Sequence, residues 1–167
     1  MKQMIPDFES DPRLLGQSRR FVAQLNQCQA LGIRVEAAAH RQLIMALPYS
    51  EAIVGDTETG VVHGGAITTL MDTASGTVVL CSLDQPELCP TLDLRVDYMR
   101  AARPGEPVYA FAQTYRVAHD IIFTRCQAWQ KEPELVVAHC VATFMRIGRQ
   151  ATPDWFWDII ENGEDVA

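Results

Sequence analysis

From residue 11 to 31 (DPRLLGQSRRFVAQLNQCQAL), apolar Leu14, Leu15, Phe21, Val22 and Leu25 return at close to helical spacing, and Gly32 supplies a stop. This pattern predicts an N-terminal helix over about 11–31. Residues 33 to 47 (IRVEAAAHRQLIMAL) suggest two short strands, although their alanines also suit a helix. A polar, glycine-containing loop, VGDTETGVV, then leads into His63-Gly64-Gly65. Residues 64 to 82 give the longest predicted helix, with Ile67, Leu70, Met71, Ala74 and Val78 along one stripe.

Beyond that helix the period changes. In residues 91 to 99, Leu92, Leu94, Val96 and Tyr98 alternate with Asp93, Arg95 and Asp97, the pattern of a half-buried strand. Residues 107 to 117, 121 to 130 and 135 to 146 are three further strand candidates, separated by the turn-like segments RPGE, AHD and KEPE. Thr152-Pro153 reads as an N-cap followed by Pro at the first helical position, opening a short helix over about 153–160. Trp155, Phe156 and Trp157 are read as packing for that helix rather than as a lid. A run of strands beside one long buried helix argues for an α+β fold, and short turns make consecutive strands antiparallel. No linker or repeat interrupts residues 1–167, which fits a single domain.

Composition narrows the function. With 14 Lys+Arg against 21 Asp+Glu the net charge is −7, a field that disfavours general nucleic-acid binding. The 5 cysteines are odd in number and lack C-x-x-C spacing. The opening MKQMIPDFESDP lacks the apolar run of a secretory signal, so the thiols read as reduced and the chain as cytoplasmic. The most apolar stretch, 61 to 83, is interrupted by His63 and Asp72, and reads as a buried helix rather than a membrane span. No H-x-x-x-H, G-x-S-x-G, G-x-G-x-x-G or Walker-type loop is present, so metal, serine-elbow and nucleotide chemistry find no support. His139 and Cys140 are adjacent on a strand and point to opposite faces, which disfavours them as a catalytic pair.

Candidate chemistry gathers around the long helix. Asp72 has Thr68, Thr69, Ser75 and Gly76 as its helical neighbours, a small polar face. A lone helical Asp is usually solvated, but the segment ITTLMDTASGT contains no Lys, Arg or Glu, unlike a solvated face. Gly64 and Gly65 stand at the helix start, where backbone N–H groups lack internal partners and the helix dipole favours negative charge. Such donors suit a developing oxyanion; a tight loop-to-helix turn explains the two glycines equally well. For His63 the reading is a loop-fixing role rather than proton transfer.

The H-G-G-x6-D spacing, continued in register through TLDLRVDYMRAARPGEPVYAFA, resembles the hotdog-fold acyl-CoA thioesterases of the hydroxybenzoyl-CoA and phenylacetate-degradation type. The resemblance covers roughly residues 33–147 and leaves both terminal helices outside it. It implies an antiparallel sheet wrapped around a long central helix. It also implies Asp72 as general base or nucleophile on the thioester carbonyl, with Gly64 and Gly65 holding the carbonyl oxygen. Thr91 stands where related enzymes carry a Ser or Thr that helps position water, and Thr69 and Ser75 would face the substrate. Many relatives have an Asn where this chain has Thr57, preceded by Asp56. Either Thr57 substitutes, or Asp56 contributes, or activity is reduced. Arg100 and Arg103 are candidates for the CoA phosphates, and solvated surface arginines fit the same positions. The resemblance further implies a homodimer or homotetramer in which Asp72 of one subunit faces His63-Gly64 of another. No cofactor is implied, CoA being part of the substrate. The alternatives are an acyl-CoA-binding hotdog protein without catalysis, and a hotdog hydratase or dehydratase.

Overall fold

The computed structural model describes residues 8–164, so most of the segment read against a secretory signal lies outside it. Helix α1 (Pro12–Ala23) starts where the Asp11 carboxylate accepts from the amides of Arg13 and Leu14, with Pro12 at a position that needs no donor. The backbone is extended at Leu25 and resumes as α2 (Asn26–Leu31), which ends at Gly32 in the left-handed conformation (φ 68°). The single helix expected over 11–31 is therefore two. Val22 and Cys28 would stand about 120° apart on an unbroken helix. The break at Leu25 turns both into the core, where they are buried.

Strands β1 (Arg34–Ala39) and β2 (Gln42–Leu47) form the first hairpin. A short 3-10 turn over Glu51–Ile53 precedes a second hairpin, β3 (Val54–Asp56) with β4 (Val61–Val62), in the stretch expected to be only a loop. The long helix α3 (Gly64–Leu80) follows, then β5 (Thr91–Tyr98), β6 (Val108–Val117), β7 (Ile121–Gln130) and β8 (Glu132–Met145). β8 starts earlier than its expected residue 135 because the reversal is made at Lys131 (φ 43°) rather than by all of KEPE. Pro133 is accommodated where the β7–β8 register slips, a bulge that needs no donor from it.

Helix α4 (Asp154–Asn162) lies where a C-terminal helix was expected, but Thr152 does not cap it. The Thr152 hydroxyl instead donates to the Gly148 carbonyl (2.9 Å) and accepts from Leu88 N–H (3.1 Å). Of the three aromatic residues in α4 only Phe156 is buried, while Trp155 is exposed and Trp157 lies against the Arg149 guanidinium (4.6 Å).

The main sheet has the order β1-β2-β6-β7-β8-β5, every pairing antiparallel. α3 packs across β6, β7 and β2. Leu70, Met71, Ala74 and Val78 are fully buried, in one apolar core with Leu43, Met45, Val108 and the alanines 110, 112 and 128. These small alanines let the helix lie close to the sheet. The result is the α+β hotdog architecture, an antiparallel sheet wrapped around a long helix with helices added at both ends. No helix among the described residues is long and apolar enough to cross a membrane.

β5 departs from its expected half-burial. It is an outer strand, and only Leu94 and Val96 are partly covered by the core. Leu92 and Tyr98 are 53% and 50% exposed, and Met99 just beyond is 60% exposed. A register shift between Thr91 and Asp93 turns Leu92 away from the core.

Candidate active site

The start of α3 is a fixed corner. His63 is its N-cap, and its Nδ1 accepts the Gly65 N–H at 2.9 Å. His63 therefore holds the loop-to-helix turn and occupies one of the two amides expected to face a ligand. The Gly64 N–H, as the first amide of α3, has no partner within the helix, and no capping bond to it is found among the described residues. Tyr98, from the end of β5, donates its hydroxyl to the Gly64 carbonyl (2.6 Å) and pairs with the Thr68 hydroxyl (2.6 Å). A Cβ on Gly64 would sit 3.1 Å from the Tyr98 oxygen, so the absent side chain is what lets Tyr98 close over the turn. Tyr98 lies far along the chain from this turn, so sequence reasoning missed it, and the glycine it packs on is the one local signal of its role.

Gly64 shares an open cleft of about 320 Å³ with Ile67, Tyr98, Met99 and Arg100. Arg103 lines a neighbouring, smaller cleft beside Lys131 and Glu106, which pair with each other at 2.8 Å. Both Arg100 and Arg103 are exposed.

Asp72 lies further along α3, and its carboxylate is half-buried. Thr91, the first residue of β5, donates its hydroxyl to Asp72 Oδ1 at 3.2 Å. Burial raises the Asp72 pKa above the ordinary carboxylate value, and the Thr91 bond opposes part of that rise. The residues Asp72 and Thr91 open a second cleft, of about 160 Å³.

The other expected site residues are dispersed. Thr69 is on the helix face shared with Asp72, but its hydroxyl back-bonds to the Gly65 carbonyl at 2.9 Å. Ser75 is fully buried, next to the Cys126 and Cys140 thiols, and offers no surface to a ligand, contrary to its expected place on the small polar face. Asp56 closes the β3–β4 hairpin: its carboxylate accepts from the Thr59 hydroxyl (2.6 Å) and the Glu58 amide (3.0 Å), which lower its pKa. Thr57 is exposed at the same turn. Within one chain, then, the candidate groups form two half-sites. One is Gly64 with Arg100, the other Asp72 with Thr91. The two are about 12 Å apart along the α3 axis.

A family model described as the thioesterase superfamily matches residues 59–137, the stretch that carries His63, Asp72, Thr91, Arg100 and Arg103. Fold and family match together define a class, thioester hydrolases built on the hotdog fold. The chain is similar to medium/long-chain acyl-CoA thioesterase YigI of Escherichia coli (strain K12), 29% identical over 138 residues, which cover 75% of this chain and 88% of that protein. It is also similar to a Pseudomonas aeruginosa protein of known crystal structure, 54% identical, covering 80% of this chain and 99% of that one with a TM-score of 0.75. The PaaI protein from the phenylacetic acid degradation operon of E. coli, 17% identical, covers 80% of this chain and 96% of its own with a TM-score of 0.68, a likeness of fold. The chain belongs to the thioesterase superfamily.

Proposed function

We propose that this protein hydrolyses acyl-CoA thioesters at sites shared between two copies of the chain, Asp72 from one and Gly64 from the other. The observation that carries this reading is the separation of the half-sites. A base and an oxyanion donor must lie within hydrogen-bond reach of one reacting carbonyl and its water. About 12 Å along one helix is too far, which supports a reading in which a second α3 brings its Gly64 to the first Asp72. The uncovered outer edge of β5, with exposed Leu92, Tyr98 and Met99, supports docking of a second subunit there.

In this arrangement the Asp72 carboxylate acts as general base. Thr91 holds Oδ1, which leaves Oδ2 for a water. The water oxygen attacks the thioester carbon as its proton passes to Asp72, and the Gly64 N–H receives the developing oxyanion. Collapse expels the CoA thiolate, which takes up a proton, leaving a free acid and the CoA thiol. Arg100, in the Gly64 cleft, supplies a cation for the CoA phosphates. The E. coli relative named as an acyl-CoA thioesterase supports CoA as the carrier. The free and largely buried cysteines fit a reducing, cytoplasmic setting.

The test is free-thiol release from acyl-CoA by purified protein. Wild type releases CoA, and Asp72→Asn loses at least a hundredfold in kcat while remaining folded. Equal turnover by the variant would remove Asp72 from the mechanism. Tight CoA binding by wild type with no thiol release would favour the binding-protein reading.

A further inference from the structure

The cleft that opens at Asp72 and Thr91 runs under α3 past Gly76 to Leu80. Positions 72, 76 and 80 recur every fourth residue and so lie along one line of the helix, about 12 Å long. The far end is closed by the cluster of Leu80, Phe156 and Ile160, with Phe21 and Leu88 packed against it. The Phe21 and Phe156 rings meet edge-on, their centroids 5.8 Å apart, so α1 and α4 form one aromatic stop. Beyond Asp72 at the mouth, the ionisable groups on the walls carry no net charge: Arg146 pairs with Glu87, and burial pushes the Cys89 thiol up to about 12, so that it stays protonated. Gly76 keeps the channel open, since a side chain there would project into it beside the Phe144 ring, 3.4 Å from a Cβ.

We propose that this cleft is the acyl-chain pocket, and that Phe21 and Phe156, from the two terminal helices, set the length of chain it accepts. The proposal rests on hydrolysis at Asp72, because it is the carbonyl held there that aims the chain inward. A volume of about 160 Å³ seats about five methylene-sized groups, at roughly 30 Å³ each. With the carbonyl carbon added, the preferred substrates are therefore thioesters of straight aliphatic acids of about six carbons. Phe21 and Phe156 both lie outside the residues matched by the family model. The length stop is thus built by this chain's own terminal helices.

The test measures kcat/KM by free-thiol release for straight-chain acyl-CoAs of four to sixteen carbons, using the whole chain. Phe156→Ala opens the far end, and should raise the ratio of twelve-carbon to six-carbon kcat/KM at least tenfold. Gly76→Leu fills the channel without disturbing the aromatic cluster, and should lower the ratio of eight-carbon to four-carbon kcat/KM at least tenfold. Circular dichroism confirms that each variant is folded, and Gly76→Leu alone decides the matter should Phe156→Ala not fold. Unchanged ratios with Asp72→Asn still inactive would overturn the pocket and leave the hydrolysis standing. Turnover that survives Asp72→Asn would overturn both.

Discussion

Asp72 works against the stability of the fold that holds it. Burial raises its pKa, so the folded state binds its proton more tightly than the unfolded chain does. Between the two pKa values unfolding releases a proton, and stability falls as pH rises through that window and stays lower above it. Asp72→Asn should therefore raise the melting temperature at neutral pH while abolishing turnover, and a thermal melt that is unchanged or lower would contradict this account. The same shift sets the acid limb of kcat. Turnover needs the ionised carboxylate, so the midpoint of that limb should lie above the ordinary Asp value of about 4 in a pH–rate profile.

His63 offers a second test at this scale. Its Nδ1 caps α3, and an Asn side chain can make the same bond. His63→Asn should keep most of the activity. His63→Ala, which loses the cap, should cost about 1 kcal/mol, or roughly 2–4 °C in melting temperature. Equal loss of kcat in both variants, with no difference in stability, would instead make the imidazole a proton carrier. Asp72 and the HGG corner were legible in the sequence because a carboxylate in a segment free of Lys, Arg and Glu, and two glycines opening a helix, are locally unusual. Ser75 was misread for a physical reason. Three residues past Asp72 it shares that neighbourhood on paper, yet it is turned to the sheet, where Cys126 and Cys140 meet it.

Elements were legible where period alone decides them. The stripe on α3 is buried as its spacing requires, and the three segments read as strands from 107 to 146 are strands. Long-range contacts decided the rest. The break at Leu25 exists because α1 and α2 both turn apolar residues inward, and Thr152 is drawn from its capping role by the amide of Leu88. β5 has the alternating sequence of a half-buried strand, but its outer position leaves Leu92 and Tyr98, half of its apolar residues, uncovered in a single chain. The turn that follows β5 carries the cation proposed for CoA. Arg100→Ala should raise KM for acyl-CoA about tenfold, equivalent to about 1.4 kcal/mol, with kcat changed less than twofold. The wild-type KM should also climb with salt more steeply than that of the variant. A KM insensitive to the substitution would return Arg100 to the ordinary solvated surface.

At the scale of the whole molecule, the proposed function makes the Gly64 corner and the Asp72 cleft two halves of a site that a single chain does not complete. The terminal helices, which lay outside the family resemblance, wall the second of these. The decisive measurement joins two disabled chains. In Gly64→Pro the amide donor is deleted at the first helical position, where Pro fits the backbone and the exposed Tyr98 ring can shift. That variant alone should lose about a hundredfold or more in kcat, as should Asp72→Asn alone. Co-expressed with different affinity tags and purified as the mixed dimer, the two contain one site with intact Asp72 and intact Gly64, each from a different chain. The account predicts about half the wild-type kcat per dimer. A mixed dimer as inactive as either parent would contradict it, because both groups would then serve the same site from one chain.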